Sequence, residues 1–413
     1  KRIDVTEIIA ATDAGREGEL IFRLVYEKFS CKKPIKRLWI SSMEESVIDE
    51  GFKNIRNGSD YELLYQSALC RAKADWIVGI NATRLFSLLY GQTLNVGRVM
   101  SPTLAMLVER EENITNFKAT PFYTVLLDLG SFTLSGERLQ DKEKAEILRK
   151  ACDGKSIIIE KVERKEKSEK PPKLYDLTTL QREANRQLGF TAEQTLEYVQ
   201  SLYEKKLVTY PRTDSRYVTE DMRDSIPALV KTVAGFFTSE NVQLPINTGQ
   251  IIDNSKVSDH HGIIATLGVE NYDIHSLPFG EREVLLLIAL RLVCAVGDSC
   301  RYAETLITAK DSGAIFTAKG KTILEDGWKA VQKIYLDTKK EQHQEEKDTS
   351  LPPVAKGEVF IAKATVKEGK TSPAKHFTDD TLLSAMENAN NAVDNTERKG
   401  IGTPATRAGI LEK

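Results

Sequence analysis

The chain of 413 residues is poor in the features that mark a zinc module, a disulfide scaffold or a membrane anchor. Its five cysteines (Cys31, Cys70, Cys152, Cys294, Cys300) are odd in number, and none stands in a CxxC pair. That argues against structural zinc and against a disulfide framework, so a reducing cytoplasm is the expected setting. No apolar run approaches the roughly 20 residues of a membrane helix, and the opening residues show no charged-then-apolar leader pattern. A Walker phosphate loop is missing as well, so nothing points to nucleotide hydrolysis as an energy source. Charge of one sign is also missing. With 58 basic and 60 acidic residues the net charge is −2, so any nucleic-acid surface must be local, a groove lined by arginine with acid elsewhere.

What is present is an ordinary globular composition, 41% hydrophobic and 29% charged, enough for roughly two to four domains with real cores. The chain opens on Lys1 and stops at Leu411-Glu412-Lys413 inside a helical pattern, so a piece of a longer protein is expected. Its most informative stretch is Leu207–Arg216, LVTYPRTDSR. Pro211 fixes its own φ, pushes Tyr210 toward an extended conformation and removes a donor, which places the phenol at a strand end or tight bend. Such a tyrosine either packs or reacts. A phenol has a pKa near about 10, so chemistry at neutral pH needs nearby cations. Arg212, two residues on, suits phosphate better than lysine because its planar fork binds two oxygens at once.

Upstream, EIIAATD (residues 7–13) reads as a short buried strand ending in an acid, with a turn at Ala14-Gly15 and a helix from Arg16 to about Lys28. Asp13 then sits at the carboxyl end of a strand and Glu17 in the first helical turn, the edge where open α/β sheets bind ligands. Two carboxylates there either hold Mg²⁺ or complement the helix dipole. Glu19 reads as a solvated or supporting acid. Residues 60–92 are a long helical region in which Arg71, Lys73 and Arg84 read as a solvated face. In TLNVGRVMSPTLAMLVERE (residues 93–111), Ser101-Pro102 reads as N-cap and first helical position. Arg98, just before it, is placed to catch a phosphate or is a surface charge.

From Phe122 to Ile159 the pattern is strand-like around a short helix, DKEKAEILRKA. The charged run 161–174, closed by a double proline, reads as a hinge or linker. Residues 177–216 read as helix, turn at Gly189-Phe190, a second helix capped by Thr191, then strand, similar to a winged helix. His260 and His261 point to opposite sides of an extended chain, so at most one faces the tyrosine; proton relay, phosphate contact and a structural pair all remain open. An apolar helix over 281–297, strand periodicity over 302–334 and a charged mobile loop over 337–350 follow. The segment 399–413, KGIGTPATRAGILEK, holds a second cap-plus-proline start, Thr403-Pro404, with Arg407 in the first turns.

ATDAGREGELIFR, LNVGRVMSPTLAMLVERE, LVTYPRTDSRYV, SDHHGIIAT and KGIGTPATRAGILEK, in this order, resemble the bacterial type IA DNA topoisomerases, closest to the topoisomerase III branch. The resemblance implies a multidomain α/β and α+β toroid. It places a partial TOPRIM unit over 1–57 and a helical DNA-binding domain over 58–118 and 369–413. A β-rich gate arch follows over 119–172 and 288–368, and a winged-helix-like cap domain carrying the tyrosine over 173–287. It implies Tyr210 as nucleophile on single-stranded DNA, Arg212 as the group that stabilises the pentavalent phosphate and His260 as the active-site histidine. Asp13 and Glu17 would hold Mg²⁺, with Arg98, Arg407 and Arg16 near DNA. Transesterification stores the phosphodiester energy in the protein link, so strand passage and religation need no ATP. The implied activity is relaxation of negatively supercoiled DNA and decatenation, with a RecQ-type helicase and a single-strand-binding protein as partners and a cytoplasmic, nucleoid-associated location.

Several residues depart from the family pattern. Gly15 stands where DxDxE has its middle acid, Met100 where glutamine is common and Ala265 where proline is common. The expected N-terminal glutamate and lysine lie upstream of Lys1, which leads to the expectation of a surviving fold with weak or absent cleavage. A tyrosine recombinase would need an Arg-His-Arg cluster and no acidic motif. A primase or nuclease using the acids alone would leave YPRTDSR without a purpose. The other alternative is a catalytically impaired clamp that only grips single strands.

Overall fold

The computed structural model describes residues 2–40, 45–237, 245–257, 260–338, 350–389 and 400–412. Two compact units divide the chain: Lys1–Val108 with Pro172–Ala295 and Phe377–Lys413, and Glu109–Pro171 with Val296–His376.

In the first unit, strand Ile8–Ala10 runs parallel to Ile35–Arg37, which pairs antiparallel with Arg56–Asn57. The chain leaves the first strand through Ala11–Gly15 and enters helix Arg16–Lys28. That helix lies antiparallel to helix Glu62–Tyr90, with Leu20 buried on Tyr65 and Ala68. Burying one such leucine contributes roughly 1.5–3 kcal/mol. Polar contacts fix the register at the far end: the Tyr65 hydroxyl donates to Glu27 at 2.6 Å and Arg23 to Glu62 at 3.2 Å.

Helices Leu177–Leu188 and Ala192–Glu204 both begin in capping boxes, on Asp176 and on the expected Thr191. Gly189 ends the first at φ 70°, a left-handed conformation that a Cβ would disfavour. These two helices pack on the buried helix Phe279–Ala295 and on helices Asp379–Asn388 and Pro404–Leu411.

The second unit is a seven-stranded antiparallel sheet in the order Lys363–Lys370, Pro121–Asp128, Thr133–Leu139, Ala314–Glu325, Cys300–Asp311, Ser156–Glu169, Val359–Ile361. Val125, Leu127, Leu134, Ile157, Ile159, Ile307 and Phe316 form its core, covered by helix Lys142–Cys152 through Ala145 and Cys152.

Several expectations change. The run 161–174 is not a linker over most of its length, because Ser156–Glu169 is one strand paired with Cys300–Asp311. Its alternating charges sit on an exposed ribbon and meet partners across it, Lys167 with Glu304 at 2.6 Å and Arg301 with Glu166 at 3.0 Å. Only the double proline marks a border, since the units change between Pro171 and Pro172. Strand periodicity ends at Glu325, and Lys329–Thr338 is helical. Position 288, expected to open the second half of the arch, falls inside the unbroken helix Phe279–Ala295, and the second unit resumes at Val296. Met100, not Pro102, starts the helix that runs to Thr115. Ser101 instead accepts a hydrogen bond from the Gly97 amide at 3.1 Å, and Pro102 sits harmlessly in a first turn whose amides need no helical acceptor. Most of the charged loop expected over 337–350 lies outside the described residues.

Candidate active site

Tyr210 is held by pairing of its own segment. Leu207–Thr209 runs beside Ile264–Thr266, with Thr209 donating its amide to Ile264 O at 3.0 Å and Thr266 its amide to Leu207 O at 3.0 Å. A single bridge, Val208 to Ala265, replaces the expected strand. Beyond Pro211 the alternation is strict: Thr213 and Ser215 are buried while Arg212 and Asp214 face out. The Thr213 hydroxyl donates to His260 O at 2.9 Å and the Ser215 hydroxyl to Lys256 O at 2.9 Å, so the buried pair fastens the histidine segment beside the tyrosine.

Tyr210 is 8% exposed, and its hydroxyl donates to Asp13 Oδ2 at 3.0 Å. Burial, the Asp13 charge and this hydrogen bond raise the phenol pKa well above its usual value, with Arg212 opposing. The His260 ring lies 4.2 Å from the Tyr210 ring, tilted by 35°. Burial pushes its imidazole down to about 4, partly opposed by the Ala14 backbone and by Asp13, so it is neutral at pH 7. His260 Nδ1 is buried with no hydrogen-bond partner among the described residues. His261 turns away, its Nδ1 2.9 Å from Gly262 O, as the alternation of an extended chain requires.

Asp13 is positioned from below. Arg37, fully buried, donates to the carbonyls of Ala10 (3.0 Å), Thr12 (2.8 Å), Leu38 (2.9 Å) and Asp13 (2.6 Å). Glu19, fully buried and not solvated, neutralises Arg37 at 3.1 Å and Arg23 at 2.8 Å. A buried cation of this kind persists only when paired and hydrogen-bonded. Gly18 lets the helix close on the acid, because a Cβ there would lie 2.1 Å from Asp13 O. Gly15, in the place of the family's middle acid, has φ 152°, a conformation that side chains rarely adopt.

Glu17 is ion-paired to Arg71, with Arg16 Nε at 3.9 Å. Arg98 clamps Asp75 with two hydrogen bonds, 2.7 and 3.2 Å. Arg407, expected near DNA, is 5% exposed and donates inward to Ile401 O at 2.8 Å and Thr178 Oγ1 at 3.1 Å. The structure therefore brings Tyr210, His260 and Asp13 together, with Arg212 acting on the phenol. Glu17, Arg16 and Arg98 lie in an ion-pair chain on the adjoining helices, and Arg407 is turned into the core.

Four contributors escaped the sequence. Tyr203 packs edge-on to Tyr210 with ring centroids 5.4 Å apart; Arg71 had read as part of a solvated face, and Asp75 and Arg37 had drawn no reading. Arg71 and Asp75 stand four apart on one helix, and Arg37 sits in a strand; those were the available signals.

The family description DNA topoisomerase matches residues 59–413. DNA topoisomerase 3 of Bacillus licheniformis is 42% identical over 441 residues, covering 100% of this chain and 59% of that protein. DNA topoisomerase 3 of Bacillus subtilis is 40% identical over 438 residues, with the same coverage of 100% and 59%. The solved structure of full-length topoisomerase I from Thermotoga maritima superposes with a TM-score of 0.74 at 22% identity, over 97% of this chain and 64% of that one. The chain thus spans 59% of the length of these curated relatives. By its sequence the chain belongs to the bacterial type IA DNA topoisomerases.

Proposed function

We propose that the chain carries the strand-cutting centre of an ATP-independent DNA topoisomerase. The observation that carries this reading is the 3.0 Å hydrogen bond from Tyr210 to Asp13, which joins the nucleophile of one motif to the acid of another across 197 positions. In the step proposed, Tyr210 Oη loses its proton and bonds to phosphorus of a single-stranded segment. The P–O3′ bond breaks, and the leaving oxygen takes up a proton as a 3′-hydroxyl; religation is the reverse.

Arg212 is exposed beside the phenol and favours the phenolate, so it supplies charge both to the nucleophile and to the phosphate oxygens. His260 orients the ring and, being neutral, offers a nitrogen for the proton at Nδ1. As found, the phenol is held protonated, so cutting requires Asp13 to give up the hydrogen bond.

Asp13 and Glu17 supply hard oxygen donors at a strand end and a first helical turn. Among the described residues no cluster of three or more His, Cys, Asp or Glu groups forms. Mg²⁺ needs only one or two carboxylates with waters and phosphate oxygens, so these two residues fit it and would hold it. Bound there, it would supply charge to neutralise the phosphate. Arg98 and Arg16 are proposed to meet DNA once released from Asp75 and Glu17; the buried Arg407 is proposed to shape the DNA-facing turn from behind.

Relaxation of negative supercoils, decatenation, a helicase and a single-strand-binding protein as partners, and a place on the nucleoid belong to the same proposal. They are supported by kinship. No helix among the described residues is long and apolar enough to cross a membrane.

The test is a labelled single-stranded oligonucleotide with Mg²⁺, quenched with detergent, beside Tyr210→Phe. A covalent adduct that requires the tyrosine is the expected result. Salt-sensitive binding with no adduct from either protein would favour the strand-gripping clamp instead.

A further inference from the structure

We propose that Arg71 is a built-in counter-ion for Glu17 that is exchanged for a divalent cation and then released to a DNA phosphate. The idea rests on the metal reading above and goes beyond it, since Arg71 belongs to none of the recognised motifs. Its place beside Glu17 is dictated by helix register. Helices Arg16–Lys28 and Glu62–Tyr90 are locked antiparallel by Glu27 with Tyr65, Arg23 with Glu62, and Leu20 with Tyr65 and Ala68. One turn beyond Ala68 this register delivers Arg71 to the Glu17 carboxylate, where it forms an ion pair.

The surroundings make a ladder of alternating charge. Arg16 faces Glu17 at 3.9 Å, Arg71 stands between Glu17 and Asp75, and Arg98 clamps Asp75 at 2.7 Å. Each acid is matched by a cation of the chain itself. A divalent cation at Glu17 therefore leaves Arg71 with one acid too few, while Asp75 remains taken by Arg98. The guanidinium then points at whatever anion the metal brings. The pair is suited to exchange because it is not sealed: the Glu17 side chain is 58% exposed and Arg71 28%. A pair this open is worth little and opens readily, unlike the sealed Glu19–Arg37 pair below it.

Two measurements on the full chain test this. The first is Mg²⁺ binding by calorimetry without DNA, for wild type, Arg71→Gln and Glu17→Gln. Removing the competitor should tighten Mg²⁺ about two- to fivefold in Arg71→Gln, the worth of a half-exposed ion pair. Glu17→Gln should bind more weakly than wild type. Unchanged or weaker binding by Arg71→Gln, with Glu17→Gln still impaired, overturns the exchange and leaves the metal reading standing. Glu17→Gln binding as wild type does sinks the metal reading itself.

The second is the salt dependence of single-stranded oligonucleotide binding, with Mg²⁺ and with EDTA. Arg71→Gln should flatten the log–log slope by about 0.7, one phosphate contact, in Mg²⁺ alone, and Arg71→Lys should largely restore it. An equal loss in EDTA would mean that Arg71 meets DNA without exchange, and no loss in either would mean that it never meets DNA. Glutamine is a good helix former, and circular dichroism of the variant checks that the helix is kept.

Discussion

The chemistry of His260 depends on where it is buried. Its folded pKa is depressed to about 4 from an ordinary value of about 6.5, so the folded protein binds fewer protons there than the unfolded chain. Stability from this group is present above pH 6.5 and is lost as pH falls from about 6.5 toward about 4. The full effect is on the order of 3 kcal/mol. His261 is shifted the same way by burial, so wild type alone does not isolate His260. Comparison with His260→Gln does: the variant should gain on wild type as pH falls through that window, read as thermal midpoints at matched pH, and a pH-independent gap would disprove the assignment. Tyr210 and His260 were singled out by the family resemblance, which rests on motifs in a fixed order; the residues alone left the tyrosine to pack or react and the two histidines open. Arg37 and Arg71 were not, because their roles come from what lies across a strand or a helix pair, and one chain read alone does not contain that partner. Gly18 is a similar case. Gly18→Ala puts a methyl against Asp13 O and should cost about 1–3 kcal/mol in urea unfolding while abolishing the adduct.

At the scale of elements, two helix starts were read to the residue, at Arg16 and at Ala192, while the start expected at Ser101-Pro102 was not, since that helix opens at Met100. Arg16–Lys28 follows the turn at Ala14-Gly15 and runs to the expected Lys28, and Thr191 caps Ala192–Glu204 through a capping box. Strands with both faces wet were not. Residues 161–169 carry alternating charges with few apolar positions, a composition shared by linkers and exposed ribbons, and only the register with Cys300–Asp311 distinguishes them. The buried part of that sheet carries its stability. Phe316 is fully buried, with Gly136 close enough that a Cβ would lie 3.1 Å from the ring. Phe316→Ala should cost about 3–5 kcal/mol. Because Phe316 belongs to the second unit, a scanning calorimetry trace should show one transition shifted down and the other in place; a uniform shift would mean that the units unfold as one.

For the whole molecule, a net charge of −2 says nothing of where a polyanion binds, and the expectation of a local basic surface has to be tested arginine by arginine. Arg98 and Arg407 both came from glycine-rich helix starts that look alike in sequence, yet they have opposite fates. Arg98 is about half exposed, its guanidinium on Asp75, whereas Arg407 is buried and bonded to Ile401 O and Thr178 Oγ1. What separates them is the fold around each. Gly402, at φ 74°, packs on Val99 and folds its turn over Arg407, a closure between positions 99 and 402 that local pattern does not encode. The two alanine variants should therefore fail differently. Arg98→Ala should leave the thermal midpoint nearly unchanged and flatten the salt dependence of single-strand binding by about 0.7 in log–log slope, one phosphate contact. Arg407→Ala strands two buried acceptors and removes packing, so it should destabilise the first unit by about 2–4 kcal/mol while leaving that slope as in wild type. If Arg407→Ala flattens the slope without lowering the midpoint, the inward-facing guanidinium is not the state that meets DNA, and the turn around Gly402 must open before the strand is gripped.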